Sequence, residues 1–149
     1  MTGFAQNCKI TDICMLVADV ERSIDFYVGR LGFVLRRRAE SFADFKGAGI
    51  TLALWEIGHM AAHTGVSPTP APPGIHKACV AVELPSPAEV DRLHAELGQA
   101  GVRFVGPPAD HAWNARCCYF ADPDDNLWEL YAWLEGGPVG DLDKVEQSR

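Results

Sequence analysis

The sequence predicts an α+β protein of two βαβββ modules. Hydrophobic pattern is the first ground, since two halves of the chain repeat the same order of strand-like and helix-like periodicity. The second is residues 58–75, whose Pro68, Pro70, Pro72 and Pro73 continue neither a helix nor a central strand. Third, 149 residues with 48% hydrophobic and 22% charged content suit a chain that folds unaided. The expected divisions are a first module at 10–57, a linker or flap at 58–75, a second module at 76–134 and a polar tail at 135–149.

Ile10 to Ala18 is β-branched and apolar, and reads as a strand. Asp19 is placed to cap a helix whose Val20, Ile24, Tyr27, Val28 and Leu31 recur at helical spacing, and Gly32 suits the left-handed residue that stops it. Phe33 to Phe45 holds two short strands, and Ile50 to Ile57 another after a Gly-rich turn. In the second half Lys77 to Leu84 is a strand. Ser86-Pro87-Ala88-Glu89 then opens a helix with an N-cap serine, a proline at the first helical position and a glutamate three residues after the cap. Val90, Leu93, Leu97 and Ala100 form its expected stripe and Gly101 its stop. Val102 to Val105, Arg116 to Ala121 and Leu127 to Trp133 complete the strands, with Asp122 to Asn126 as a turn.

Thirteen Lys and Arg against twenty Asp and Glu give a net charge of −7. That balance argues against nucleic acid or an anionic membrane as partner, because both need basic surface. A neutral or cationic ligand is compatible with it. Five cysteines, with no C-x-x-C pair, suit reduced thiols in a cytoplasm better than disulfides or a thiolate zinc site. No stretch has the length of a membrane span, and no apolar leader opens the chain.

Asp19-Val20-Glu21-Arg22-Ser23-Ile24-Asp25-Phe26-Tyr27, followed by Leu31-Gly32-Phe33, resembles the first helix of the vicinal oxygen chelate superfamily. Asp122-Pro123-Asp124-Asp125-Asn126-Leu127-Trp128-Glu129-Leu130 resembles its closing hairpin. That superfamily holds glyoxalase I, the bleomycin resistance proteins and the extradiol dioxygenases, so the resemblance implies a fold, with curled mixed sheets around a shared cavity, more than a reaction. In its metal-using members four positions carry His, Gln or Glu. The resemblance places them here at Asp12, Ala53, Lys77 and Glu129. Ala53 has no donor atom and an ammonium at Lys77 opposes a divalent cation, so no metal cofactor is expected. The alternative is a divalent metal held by Asp12, His76 and Glu129, which requires the strand near His76 to slip by one residue.

The expected ligand pocket comprises Asp12, Trp55, Lys77, Cys79, Trp113, Arg116, Glu129 and Tyr131. Trp55, Tyr131 and Trp133 share the phase of Ala53 and Glu129, an aromatic wall beside a carboxylate that suits a flat or cationic molecule. Core or interface packing explains those rings equally well. Asp12 and Lys77 could pair with each other, and Arg116 could reach an anionic group or form an ordinary surface ion pair. His59 and His63 would align only on a helix, which Gly58 and Gly65 disfavour. His94 is expected on the polar side of its helix. Cys117 and Cys118 should face opposite ways, without an activating base.

The expected function is binding of a small organic molecule without metal, as in the bleomycin resistance branch, by a cytoplasmic homodimer. The rival is a glyoxalase-like lyase, epimerase or dioxygenase, metal-dependent through His76 or using Glu129 or Lys77 in acid–base chemistry.

Overall fold

The computed structural model describes residues 4–47 and 49–139, and the chain divides into two units, Met1–Ile75 and His76–Arg149. In the first, β1 (Asp12–Val17) is followed by α1 (Val20–Gly29), then β2 (Val34–Ala39), β3 (Phe42–Lys46) and β4 (Thr51–Glu56). The sheet order is β1-β4-β3-β2, with β1 parallel to β4 and the other pairs antiparallel. The parallel pair requires a crossover on one sheet face, and α1 supplies it. Asp19 caps α1 by accepting from the Glu21 and Arg22 amides at 2.9 and 3.1 Å.

Alternation sorts the first sheet's side chains. Met15, Val17, Leu52, Leu54, Ala43 and Phe45 are buried on the helix side, where Tyr27 stacks on Phe45 with centroids 5.7 Å apart. Val20 and Tyr27 of the expected stripe are buried in α1, joined by Ser23 and Phe26, while Ile24 and Leu31 are only half-buried. Ser23 tolerates complete burial because its hydroxyl donates to the Asp19 carbonyl at 3.1 Å. Val28 is turned outward.

Ile57, expected to end a strand, and residues 58–64, expected as part of the linker or flap, form a helix, α2 (Ile57–Thr64). Met60, Ala61 and Ala62 favour it, and Gly65 at φ 77° closes it, its amide donating to the Ala61 carbonyl at 3.0 Å. The proline-rich part that follows contains neither helix nor strand.

The second unit repeats the order with β5 (Cys79–Glu83), α3 (Pro87–Gln99), β6 (Ala109–His111), β7 (Ala115–Ala121) and β8 (Leu127–Trp133). Its sheet runs β5-β8-β7-β6, again with one parallel pair. The Ser86 hydroxyl accepts from the Glu89 amide at 3.3 Å. Val90, Trp128, Leu130, Ala132, Cys118 and Phe120 are buried on the helix side, with Phe120 and Trp128 stacked at 5°. Neither sheet closes into a barrel.

Two strand expectations change here. Val102–Val105 makes only the single bridge Phe104–Phe120, and the fourth strand is Ala109–His111. Gly106-Pro107-Pro108 breaks the segment between them, and proline cannot donate to a ladder. His94 is half-buried, its ring centroid 4.3 Å from that of Phe104, and so lies against this segment instead of facing water.

The β7–β8 turn is built around Asp122. Its carboxylate accepts from the amides of Asp124 and Asn126 and from the Asn126 side chain, all within 2.9 Å. Asp125 adopts φ 63°, which a short polar side chain tolerates. Asn114, also at positive φ, donates to the Glu135 and Gly137 carbonyls and fixes the start of the expected tail; residues 140–149 lie outside the described residues. Asp122→Ala removes three acceptor contacts at a buried side chain and should cost about 2 kcal/mol. A lower urea midpoint with unchanged slope would register that loss.

Candidate ligand site

The helix covers one face of each sheet, and the chemistry collects on the other. In the second unit, Cys79, Ala81 and Glu83 of β5 share this face with Leu127, Glu129, Tyr131 and Trp133 of β8 and with Cys117 and Tyr119 of β7. Register makes Tyr119 the direct cross-strand partner of Glu129, and the Tyr119 hydroxyl donates to Glu129 Oε1 at 2.8 Å. Cys117, the cross-strand partner of Tyr131, lies on the same face. Glu129 is therefore an anion oriented by a neutral donor, with the small side chain of Ala81 opposite it on β5.

Rings surround it. His111 lies parallel to Trp113 at 4.3 Å and edge-on to Tyr119, while Tyr131 meets Trp133 edge-to-face at 5.3 Å. The Tyr131 hydroxyl donates to Glu83 at 3.3 Å. Burial and the neighbouring Glu129 raise the Tyr119 phenol far above its usual value, so it remains a donor at neutral pH. Cys117 is raised chiefly by burial and then by Glu129, while Cys79 is raised by burial and the Glu129 charge. Neither thiol is an activated nucleophile.

The first unit's open face holds Asp12, Cys14 and Leu16 of β1, Ala53 and Trp55 of β4, and Phe42 and Asp44 of β3. Asp44 is fully buried. A bulge between Leu35 and Arg37 lets two successive arginines turn toward it. Arg36 donates to both oxygens at 3.0 and 2.7 Å, and Arg37 to Oδ2 at 2.8 and 2.5 Å. The Arg36 bonds, and after them those of Arg37, hold the Asp44 carboxyl far below its ordinary range despite burial. Cys14 is pushed up to about 11 by burial, then by Asp12. The Trp55 indole donates to His59 Nδ1 at 2.9 Å, and His59 stacks on His63 at 4.3 Å along α2.

Of the expected pocket residues, Cys79, Trp113, Glu129 and Tyr131 come together in the second unit. Asp12 and Trp55 lie on the open face of the first. Arg116 does not join the Glu129 cluster. It projects from the helix-covered side of β7 and pairs with Asp91 of α3 at 2.8 Å and Asp110 at 2.9 Å. Lys77 was expected within β5, facing inward by alternation, yet the strand begins at Cys79. The cause is its partner: β8 starts at Leu127, paired with Cys79, so nothing extends the ladder to Lys77. His76 is fixed instead by the turn, with Nδ1 2.6 Å from the Asp125 carbonyl.

The residues at the family's metal positions do not fit a divalent cation. Ala53 presents a methyl group, both oxygens of its neighbour Asp44 are taken by guanidiniums, and Glu129 is engaged by Tyr119. Among the described residues no group of three His, Cys, Asp or Glu is arranged to hold a metal. His59 and His63 are aligned after all, but Trp55 is only a donor, so neutral His59 carries its proton on Nε2 and offers no lone pair there.

Sequence reasoning missed Tyr119, Cys117 and His111 around Glu129, and the Asp44 triad altogether. Counting back from the Asp122–Asn126 turn would have paired Tyr119 with Glu129. The triad had no such signal, because a bulge is invisible to alternation.

The Glyoxalase/Bleomycin resistance protein/Dioxygenase superfamily profile matches residues 9–130, and this chain belongs to that family. A glyoxalase/bleomycin resistance protein/dioxygenase structure from Nocardioides is 42% identical, with TM-score 0.85, covering 93% of this chain and 95% of that one. The bleomycin resistance protein of Geobacillus stearothermophilus is 26% identical over 125 residues, 80% of this chain and 92% of its own. A lactoylglutathione lyase from Agrobacterium tumefaciens, 16% identical, shares the fold at TM-score 0.68 over 83% of this chain and 92% of that one. Among the described residues no helix is long and apolar enough to cross a membrane.

Asp44 has a lowered folded pKa, so its stabilisation is complete above the unfolded carboxyl's value near 3.8 and is lost as pH falls through the folded one. Asp44→Asn should therefore lower stability at pH 7 by about 1.5 kcal/mol, modest because both guanidiniums are partly exposed. Urea midpoints of the two proteins, well apart at pH 7, should converge toward pH 2.

Proposed function

We propose that the protein binds a small organic molecule without a metal, in the manner that the bleomycin resistance relatives' name suggests, and that the ligand presents a cationic or flat aromatic group to the second unit. One observation carries this reading: Glu129 is held by the Tyr119 hydroxyl on a face that also presents Tyr131 and Trp133, with His111 edge-on to Tyr119 and stacked on Trp113. A carboxylate anchored by neutral donors keeps its charge, and nearby ring faces add cation–π attraction of about 0.5–2 kcal/mol. Lactoylglutathione lyase chemistry is not favoured, because the metal positions lack a matched donor set. The working assembly is a cytoplasmic homodimer, which sedimentation equilibrium would verify.

Bleomycin and a panel of planar aromatic cations should quench tryptophan fluorescence saturably, since Trp133 shares the face of Glu129 and Trp113 stacks on His111 next to Tyr119. Glu129→Gln should weaken the apparent affinity about tenfold, the equivalent of about 1.4 kcal/mol. Trp133→Ala should weaken it about fivefold. Absence of quenching across the panel, or stoichiometric zinc, nickel or iron that disappears in His76→Ala, would replace this reading with metal-dependent chemistry.

A further inference from the structure

A second, chemically opposite feature lies in the first unit. In that unit a groove of about 610 Å³ is lined by Lys9 and Thr11 ahead of β1, Arg36 of β2, Lys46 of β3, and Ile50 and Thr51 at the start of β4. Every ionisable group in this lining is a cation, in a protein whose net charge is −7. Lys9 and Lys46 make no ion pair among the described residues. Arg36 is held rigidly at the groove by its two-pronged bond to Asp44.

The charge balance here is not that of a self-contained salt bridge. One guanidinium neutralises one carboxylate, yet the bulge in β2 brings both Arg36 and Arg37 to Asp44. Asp12 is the other acid within reach, and it accepts from the Thr11 hydroxyl at 2.6 Å and favours the charged form of Arg36. Of the three cations that line the groove, Arg36 is paired with Asp44, which leaves the Lys9 and Lys46 ammoniums as an excess of two positive charges in the lining. An uncompensated local charge of this sign, with one guanidinium already immobilised, attracts a counter-ion and loses little side-chain entropy on binding it.

We infer that this groove is a binding site for a small multivalent oxyanion, a phosphate ester or a polycarboxylate, separate from the Glu129 cluster. Lys9 and Lys46 supply mobile ammonium contacts and Arg36 the fixed planar donor. Because the contacts are partly exposed, binding weakens as salt rises.

Isothermal titration of the full chain with pyrophosphate, inorganic phosphate, citrate and succinate, at matched ionic strength, tests this. Saturable binding of a divalent or higher oxyanion is expected, weakened at least tenfold in Lys9→Gln/Lys46→Gln, whose substitutions leave Asp44 and its arginines intact. Retention in Lys9→Arg/Lys46→Arg is also expected, and the order of the four affinities distinguishes a phosphate source from a carboxylate one. Quenching by aromatic cations at the second unit should be unchanged in the glutamine double variant. No saturable binding by any of the four, or equal binding by wild type and Lys9→Gln/Lys46→Gln, would overturn the inference, while the reading of the Glu129 site would stand or fall on its own titration.

Discussion

Each four-stranded sheet has a single crossover helix, and one helix covers one face. Strands alternate their side chains, so burying Met15 and Val17 under α1 obliges Asp12, Cys14 and Leu16 to face the other way. The same holds in the second unit, where Trp128 and Leu130 lie under α3 and Glu129, Tyr131 and Trp133 do not. The uncovered faces are where groups with no place in a helix-packed core can be gathered and oriented.

The two units use this freedom differently. On the first sheet a carboxylate is buried and compensated by two arginines, which makes Asp44 a structural anion with no capacity left for a ligand. On the second, Glu129 is held by a phenol, which orients it without cancelling its charge. An ion paired with guanidinium is neutralised, whereas one held by neutral hydrogen-bond donors still attracts a cation. That contrast, more than the number of acids on either face, makes the Glu129 cluster the candidate site.

Much of the architecture was legible because its signals are local. Asp19, Ser86, Pro87 and Gly101 mark helix ends through contacts made within a turn, and the Asp122–Asn126 hairpin is closed by Asp122's own side chain. The site was legible only in part. Glu129 and Tyr131 could be assigned to one face by counting in twos, but Lys77 could not, since the strand's first residue depends on where its partner begins. Arg116 was misplaced for a related reason: parity put it on the helix side, where Asp91 waits for it, and the expected role ignored that parity. Gly65 ends α2 by the same left-handed geometry seen at Gly101, but surrounding glycines and prolines masked a short helix.

What the chain determined alone was periodicity, capping and turn chemistry, and through these two βαβββ units with their inner and outer residues. Those features depend on neighbours within about four positions, or on a strict alternation that a reader can extend. Tertiary structure decided the rest: the bulge that gives Asp44 two arginines, the register that sets Tyr119 against Glu129, and the stacking of His111 on Trp113. Each depends on where one strand meets another, and a single inserted residue changes that meeting without altering composition or local propensity.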